Sequence, residues 1–141
     1  MNPLPLQELE ILRSLLDRLV PADEFDGAIQ AGVDDYVVRQ LGGDLSALRP
    51  AVSGGLLALD AEARSRHGRG FTGITDEERT AILADLEAGN PRAAWENSAR
   101  DFLNLMISLA AEGFYADPGN SGNRNRASWK MLGYDPRVGD P

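Results

Sequence analysis

The sequence contains no cysteine and only one histidine among its 141 residues. Without cysteine the chain cannot form disulfides, bind zinc or iron–sulfur clusters through thiolates, or use a thiol nucleophile. It also lacks the Cys-X-X-Cys-His haem-attachment motif, so it is not itself a c-type cytochrome. The single histidine, His67, falls at the end of a predicted helix, where a structural role at the negative end of the helix dipole is favoured over a catalytic one.

Long apolar runs are also missing. No stretch of 18 apolar residues exists, so we expect no membrane insertion. The first residues show no basic segment followed by a cleavage site, which predicts a cytoplasmic chain, or a periplasmic one if a leader was removed or a partner exports it. The net charge is −8, and an acidic surface repels phosphate backbones, so we expect no nucleic-acid partner.

Apolar residues recur at intervals of three and four along most of the chain, which predicts α-helices. No alternating pattern typical of a strand occurs. We predict a single all-α domain over residues 1–141, a bundle of about five helices followed by an irregular, aromatic-rich C-terminal arm. The predicted helices cover about residues 5–19, 27–41, 50–67, 76–88 and 91–112, and the arm covers residues 113–141.

Several local patterns define the predicted helix ends. Thr75 and Glu78 form a capping box at the start of the fourth helix. Asp26 is the predicted N-cap of the second helix, and Asn90 with Pro91 predicts the start of the fifth. Gly113 is predicted to end the fifth helix.

The C-terminal arm is unusual in its composition. It lacks a helical period, yet it holds four of the aromatic residues: Phe114, Tyr115, Trp129 and Tyr134. Residues 119–138 carry four basic side chains and one acidic one, whereas residues 1–37 carry eight acidic and two basic side chains. A basic, aromatic arm can dock on the chain's own acidic body or on an acidic partner, and the sequence leaves both alternatives open.

Two groups of oxygen-bearing side chains could in principle bind a metal or a sugar. One comprises Asp23, Glu24 and Asp26, and the other comprises Asp117, Asn120 and Asn123. The second lacks the alternating ligands and final glutamate of a calcium-binding EF-hand loop, and nothing in the sequence forces a second oxygen cluster or a histidine near the first. Helix capping and tight turns explain these residues more simply.

Three stretches resemble one known family. They are Val20-Pro21-Ala22-Asp23, Phe71 with Thr75-Asp76-Glu77-Glu78-Arg79, and Glu112-Gly113-Phe114-Tyr115-Ala116-Asp117-Pro118 followed by Gly122-Asn123 and Trp129-Lys130-Met131-Leu132-Gly133-Tyr134. In this order they resemble the gluconate 2-dehydrogenase subunit 3 family, the small subunits of bacterial FAD-dependent sugar and sugar-acid dehydrogenases. The twin-arginine export signal of many members is not present in this sequence.

The resemblance implies a non-catalytic subunit that binds a large flavoprotein of the glucose-methanol-choline type and helps it to mature or stay soluble. It implies FAD on the partner, no cofactor on this chain, and at most an indirect contact with a cytochrome subunit. We expect the partner-binding residues on the arm, at Phe114, Tyr115, Asp117, Pro118, Asn123, Trp129, Lys130 and Tyr134. The alternative is a free-standing helical enzyme or a metal- or ligand-binding domain that uses the Asp and Asn clusters.

Overall fold

The computed structural model describes residues 3–21 and 27–115, and of Tyr115 the backbone alone. These ranges contain five α-helices, two short 3₁₀-helices and no strand, which confirms the predicted all-α class. The helices are α1 (Leu6–Leu19), α2 (Val33–Leu41), α3 (Arg49–His67), α4 (Asp76–Glu87) and α5 (Ala99–Tyr115). No helix in the described ranges is long and apolar enough to cross a lipid bilayer.

Helices α1 and α5 each pack against all four of the other helices. The buried face of α5 includes Phe102, Leu103, Met106 and Leu109. In α1, Leu12, Leu15 and Leu16 are fully buried. The apolar stripes that predict the helices therefore face a common core, and their burial is the main source of stability.

Helix α2 begins later than the predicted residue 27. Gly32 has a left-handed backbone, with φ of 82°, directly before the first residue of the helix. Residues 28–32 form turns instead, and the side chain of Gln30 accepts a hydrogen bond from the Gly27 amide at 3.0 Å. Because a left-handed residue cannot continue an α-helix, Gly32 separates these turns from α2. The predicted N-cap, Asp26, lies outside the described residues.

Helix α5 continues past Gly113, which had been expected to end it. A Cβ atom at this position would lie 2.9 Å from Val33 Cγ1 and 3.2 Å from Tyr36 Cδ2. The glycine thus allows α2 to approach α5 closely and does not terminate the helix. As a result Phe114 is helical and lies in the chain's own core, with 1% of its surface exposed.

Helix α4 starts as the sequence predicts. The Glu78 amide donates to Thr75 Oγ1 at 3.1 Å, and the Thr75 amide donates to Glu78 Oε1 at 2.9 Å, which completes the capping box. Glu78 Oε2 also lies 3.2 Å from Nδ1 of His67, the last residue of α3. His67, the sole histidine of the sequence, therefore contacts Glu78 where the end of α3 meets the start of α4.

Two adjacent glycines in α3 provide a test of the packing. A Cβ at Gly55 would lie 2.0 Å from Phe102 Cδ1, whereas a Cβ at Gly54 meets nothing within 4 Å. We predict that Gly55→Ala lowers the free energy of unfolding by about 2 kcal/mol through overpacking. Gly54→Ala should raise it by about 0.5 kcal/mol, because alanine restricts the unfolded chain. Urea denaturation of both variants measures the difference, and equal stabilities would contradict this packing of α3 on α5.

Candidate functional site

The most deeply buried charge in the described chain is the carboxylate of Glu62, on the inner side of α3. Its side chain has no solvent-exposed surface. The carboxylate accepts hydrogen bonds from the backbone amides of Arg92 and Ala93, at 2.8 and 3.0 Å, and from the Trp95 indole nitrogen at 3.0 Å. These three donors belong to the segment of residues 88–98 that connects α4 to α5. Glu62 therefore attaches this connecting segment to α3.

Arg66 supplies the fourth donor to Glu62 and balances its charge. Its Nε lies 2.8 Å from Glu62 Oε2, one helical turn away, and its Nη1 lies 2.7 Å from Asp85 Oδ2 on α4. Only 5% of the Arg66 side chain is exposed. A buried carboxylate is stable only when it is paired and hydrogen-bonded, and Glu62 meets both conditions. The network therefore ties α3, α4 and the connecting segment together.

The environment of Glu62 favours its charged form. Burial opposes ionisation, but the bonds donated by Arg92, Trp95, Ala93 and Arg66 outweigh it, so that the pKa of Glu62 lies below its ordinary value. The pKa of Arg66 is raised, because its bonds to Asp85 and Glu62 outweigh the cost of its burial. The pair is therefore ionised at neutral pH.

Helix α5 does not start at the predicted residue 91. Residues 91–98 are not helical, and within them the amides of Arg92 and Ala93 are bonded to Glu62. The helix starts instead after Ser98, whose Oγ accepts a hydrogen bond from the Asp101 amide at 3.1 Å. Ser98 is thus the N-cap, and its hydroxyl replaces the capping role predicted for Asn90.

An open groove lies between the first half of α3 and the connecting segment. It encloses a volume of about 910 Å³. One wall consists of small residues of α3 and of the turn before it, namely Ala47, Pro50, Ala51, Gly54, Gly55 and Ala58. The opposite wall includes Trp95, Phe102 and Leu105. Because the residues of α3 that line this wall are small, they leave the space of the groove open.

The aromatic wall of the groove is held in a defined position. The rings of Trp95 and Phe102 are 5.7 Å apart between centroids and tilted by 44°. Trp95 is fixed by its hydrogen bond to Glu62, and Phe102 packs against the bare backbone at Gly55. The groove is therefore a preformed feature whose shape depends on the buried carboxylate.

The other buried acids of the described chain also have structural partners. Asp34 accepts from Arg13 Nε at 2.9 Å, and Glu8 accepts from the hydroxyl of Ser53. Asp60 accepts from the Phe71 amide at 2.8 Å and from Arg64 Nε at 3.0 Å. Within residues 3–21 and 27–115 no group of three or more acidic or histidine side chains is placed to hold a metal ion.

Of the residues expected to bind a partner, Phe114 is described with its side chain, and it is buried in the core. This differs from the expectation of an anchor on an irregular arm. Tyr115 is the last residue of α5. The remaining expected contacts lie outside the described residues: Asp117, Pro118, Asn123, Trp129, Lys130 and Tyr134. Both predicted oxygen clusters, at residues 23–26 and 117–123, also lie outside them.

The sequence reasoning missed the Glu62 network and the groove. One signal was available, because Ser98 and Asp101 have the spacing of a helix N-cap and its first-turn acid. The pairing of Glu62 with residues 30 positions away has no local signature. The groove was also undetectable, since it depends on how α3 and α5 pack.

The described part of the chain is thus a small helical bundle whose buried ionic groups connect helices and which has an open groove beside α3. The family model for gluconate 2-dehydrogenase subunit 3 matches residues 6–136. Since this match covers nearly the whole sequence, the chain belongs to the gluconate 2-dehydrogenase subunit 3 family. Comparisons with curated proteins and with solved structures gave no match.

We predict that Glu62→Gln lowers the free energy of unfolding by about 3 kcal/mol. The change leaves Arg66 without one of its two carboxylates, and it places the N–H groups of the glutamine side chain beside the N–H donors of the connecting segment. The pKa of Glu62 is lowered by folding, so its stabilising effect is present above an unfolded pKa of about 4.3 and is lost as the pH falls through the folded value. Stability should therefore fall less steeply below about pH 4.5 in the variant than in the wild type.

The control for this prediction is Glu10→Gln, the same chemical change at an exposed position of α1. Guanidinium denaturation at a series of pH values measures both variants. A Glu62→Gln protein as stable as the Glu10→Gln protein at pH 7 would contradict the structural role of the buried carboxylate.

Proposed function

We propose that this chain is the small, non-catalytic subunit of an FAD-dependent sugar or sugar-acid dehydrogenase or oxidase. In this proposal it binds a large flavoprotein of the glucose-methanol-choline type and helps that protein to mature or to remain soluble. The observation that carries the proposal is the family match over residues 6–136. The flavin, and with it the transfer of hydride from the sugar, belongs to the large subunit.

The chemistry of the described residues supports this assignment. Each buried acid accepts a hydrogen bond from a donor within the chain, and these acids are Glu8, Asp34, Asp60 and Glu62. His67 is paired with Glu78 between two helices. These groups connect elements of the fold, whereas a catalytic acid or base must present a free site to a substrate.

A second candidate, a free-standing enzyme or ligand-binding domain, depends on the acidic and asparagine clusters at residues 23–26 and 117–123. Both clusters lie outside the described residues, so no contact of the structure favours this candidate. The proposal therefore retains the accessory role and places the partner contacts on the C-terminal arm, with Tyr134 among them.

We predict that the isolated chain carries no flavin and oxidises no sugar. The purified protein should show no absorbance near the flavin bands and no reduction of an electron-accepting dye with gluconate or glucose. Reconstitution with free FAD, followed by gel filtration, is the control. One equivalent of FAD retained by the chain would contradict a purely accessory role.

We also predict that the large subunit needs this chain for its soluble expression. The proposal expects a flavoprotein gene beside the gene for this chain. The test expresses that flavoprotein alone and together with this chain and compares the yield of soluble, FAD-loaded enzyme. The Glu62→Gln variant serves as a destabilised control, and Glu10→Gln as a matched neutral one. Equal FAD-loaded yields with and without the small chain would contradict the proposal.

A further inference from the structure

We propose that the groove between α3 and the connecting segment is the docking site for the chain's own C-terminal segment, with Trp129 seated in the groove and Lys130 paired with the acids on its rim. The sequence leaves two alternatives open for this arm: the chain's own body or a partner. For the segment around Trp129, the chemistry, charge and position of the groove favour the chain's own body over a partner. This inference does not depend on the identity of the large subunit.

The first argument is the chemistry of the groove. Its walls are apolar and aromatic, and a Cβ placed at Gly54 meets nothing within 4 Å, so the groove has room for a large side chain at this point. The segment from residue 124 to residue 134 offers two such side chains, Trp129 and Tyr134. A tryptophan side chain buries about 150–250 Å² of its surface in a suitable pocket. Buried aromatic side chains of this kind are the usual anchors of interfaces.

The second argument is charge. The charged side chains lining the groove are Glu96 and Asp101, both acidic, and within the described residues neither forms a salt bridge. Four of the 14 basic and three of the 22 acidic residues lie in residues 116–141, so the remainder of the chain carries a net charge of −9. Lys130 directly follows Trp129 in the sequence. An apolar anchor followed by a cation complements an apolar groove with an acidic rim.

The third argument is reach. The groove adjoins the first turns of α5, where Asp101 lines it. Tyr115 lies 14 residues after Asp101 on this helix, about 21 Å away at 1.5 Å per residue. The 15 residues from Tyr115 to Lys130 span at most about 50 Å when extended. The chain that follows α5 is therefore more than long enough to return to the groove without any change in the bundle.

This docking is compatible with the proposed accessory function. It assigns Trp129 and Lys130 to the chain's own body, and it leaves Tyr134 and the residues preceding Trp129 for contacts with the large subunit. A segment that is already held on the body loses less conformational entropy when a partner binds it. The docked arm would thus form part of a preorganised surface.

The test uses the full-length chain and the fact that Lys130 is its only lysine. A water-soluble carbodiimide joins an amine to a carboxylate in direct contact, forming an amide with loss of water. Apart from the α-amino group, Lys130 is the only primary amine that can react. We expect peptide mapping of the monomer to show Lys130 joined to Glu96 or Asp101, in a yield that does not change on dilution.

Gly54→Leu is the decisive variant, because its side chain fills the groove while its Cβ meets open space. We expect the yield of the crosslink to fall about tenfold or more, the effect of losing one buried anchor. Ala81→Leu, which adds a leucine at an exposed position of α4, should leave the yield unchanged. Circular-dichroism melting should show that both variants keep the stability of the bundle.

Three results would overturn the proposal. The first is a Lys130 crosslink that maps mainly to the acidic residues of α1 and α2. The second is a crosslink to Glu96 or Asp101 that survives Gly54→Leu unchanged. The third is the absence of any intramolecular Lys130 crosslink in the free chain. If the Gly54→Leu variant then also binds the large subunit more weakly, the groove belongs to the partner.

Discussion

The buried carboxylate of Glu62 is the constraint on which the second half of the fold depends. It receives donors from four residues, two of them backbone amides of the segment that links α4 to α5. Leaving such a charge unpaired in the interior costs several kcal/mol, so the position of the segment and the ionisation of Glu62 stabilise each other. Arg66 extends the constraint to α4 through Asp85.

The constraint acts on the surface as well as on the core. Glu62 binds the amides of Arg92 and Ala93 and the indole of Trp95, whose ring lies beside that of Phe102, and α5 then starts at Ala99 after the cap at Ser98. These two rings and the bare backbone of α3 at Gly54 and Gly55 form the groove. The docking that we propose for the segment around Trp129 uses this groove and its acidic rim residues Glu96 and Asp101. The structural role of Glu62 and the proposed docking of the arm are therefore linked.

The helices themselves could be predicted from the sequence, because the period of apolar residues and the capping box at Thr75 are local features. Helix ends were predicted less well wherever a distant contact determines them. Gly113 reads as a helix terminator, but its position against Val33 and Tyr36 makes it a point of close packing. Likewise, Asn90 and Pro91 have the pattern of a helix start, but α5 starts at Ala99, where Ser98 provides the cap. The groove has no linear signature at all, since it arises from the spacing between α3 and α5.

The central claim, that Glu62 holds the connecting segment in place, can be tested by hydrogen exchange. Amide exchange measured by NMR should show Arg92, Ala93 and the Trp95 indole protected in the wild-type chain. In Glu62→Gln these three protons should exchange much faster, while amides in the middle of α1 keep protection that reflects the global stability. Unchanged protection of the three protons relative to α1 in the variant would contradict the account.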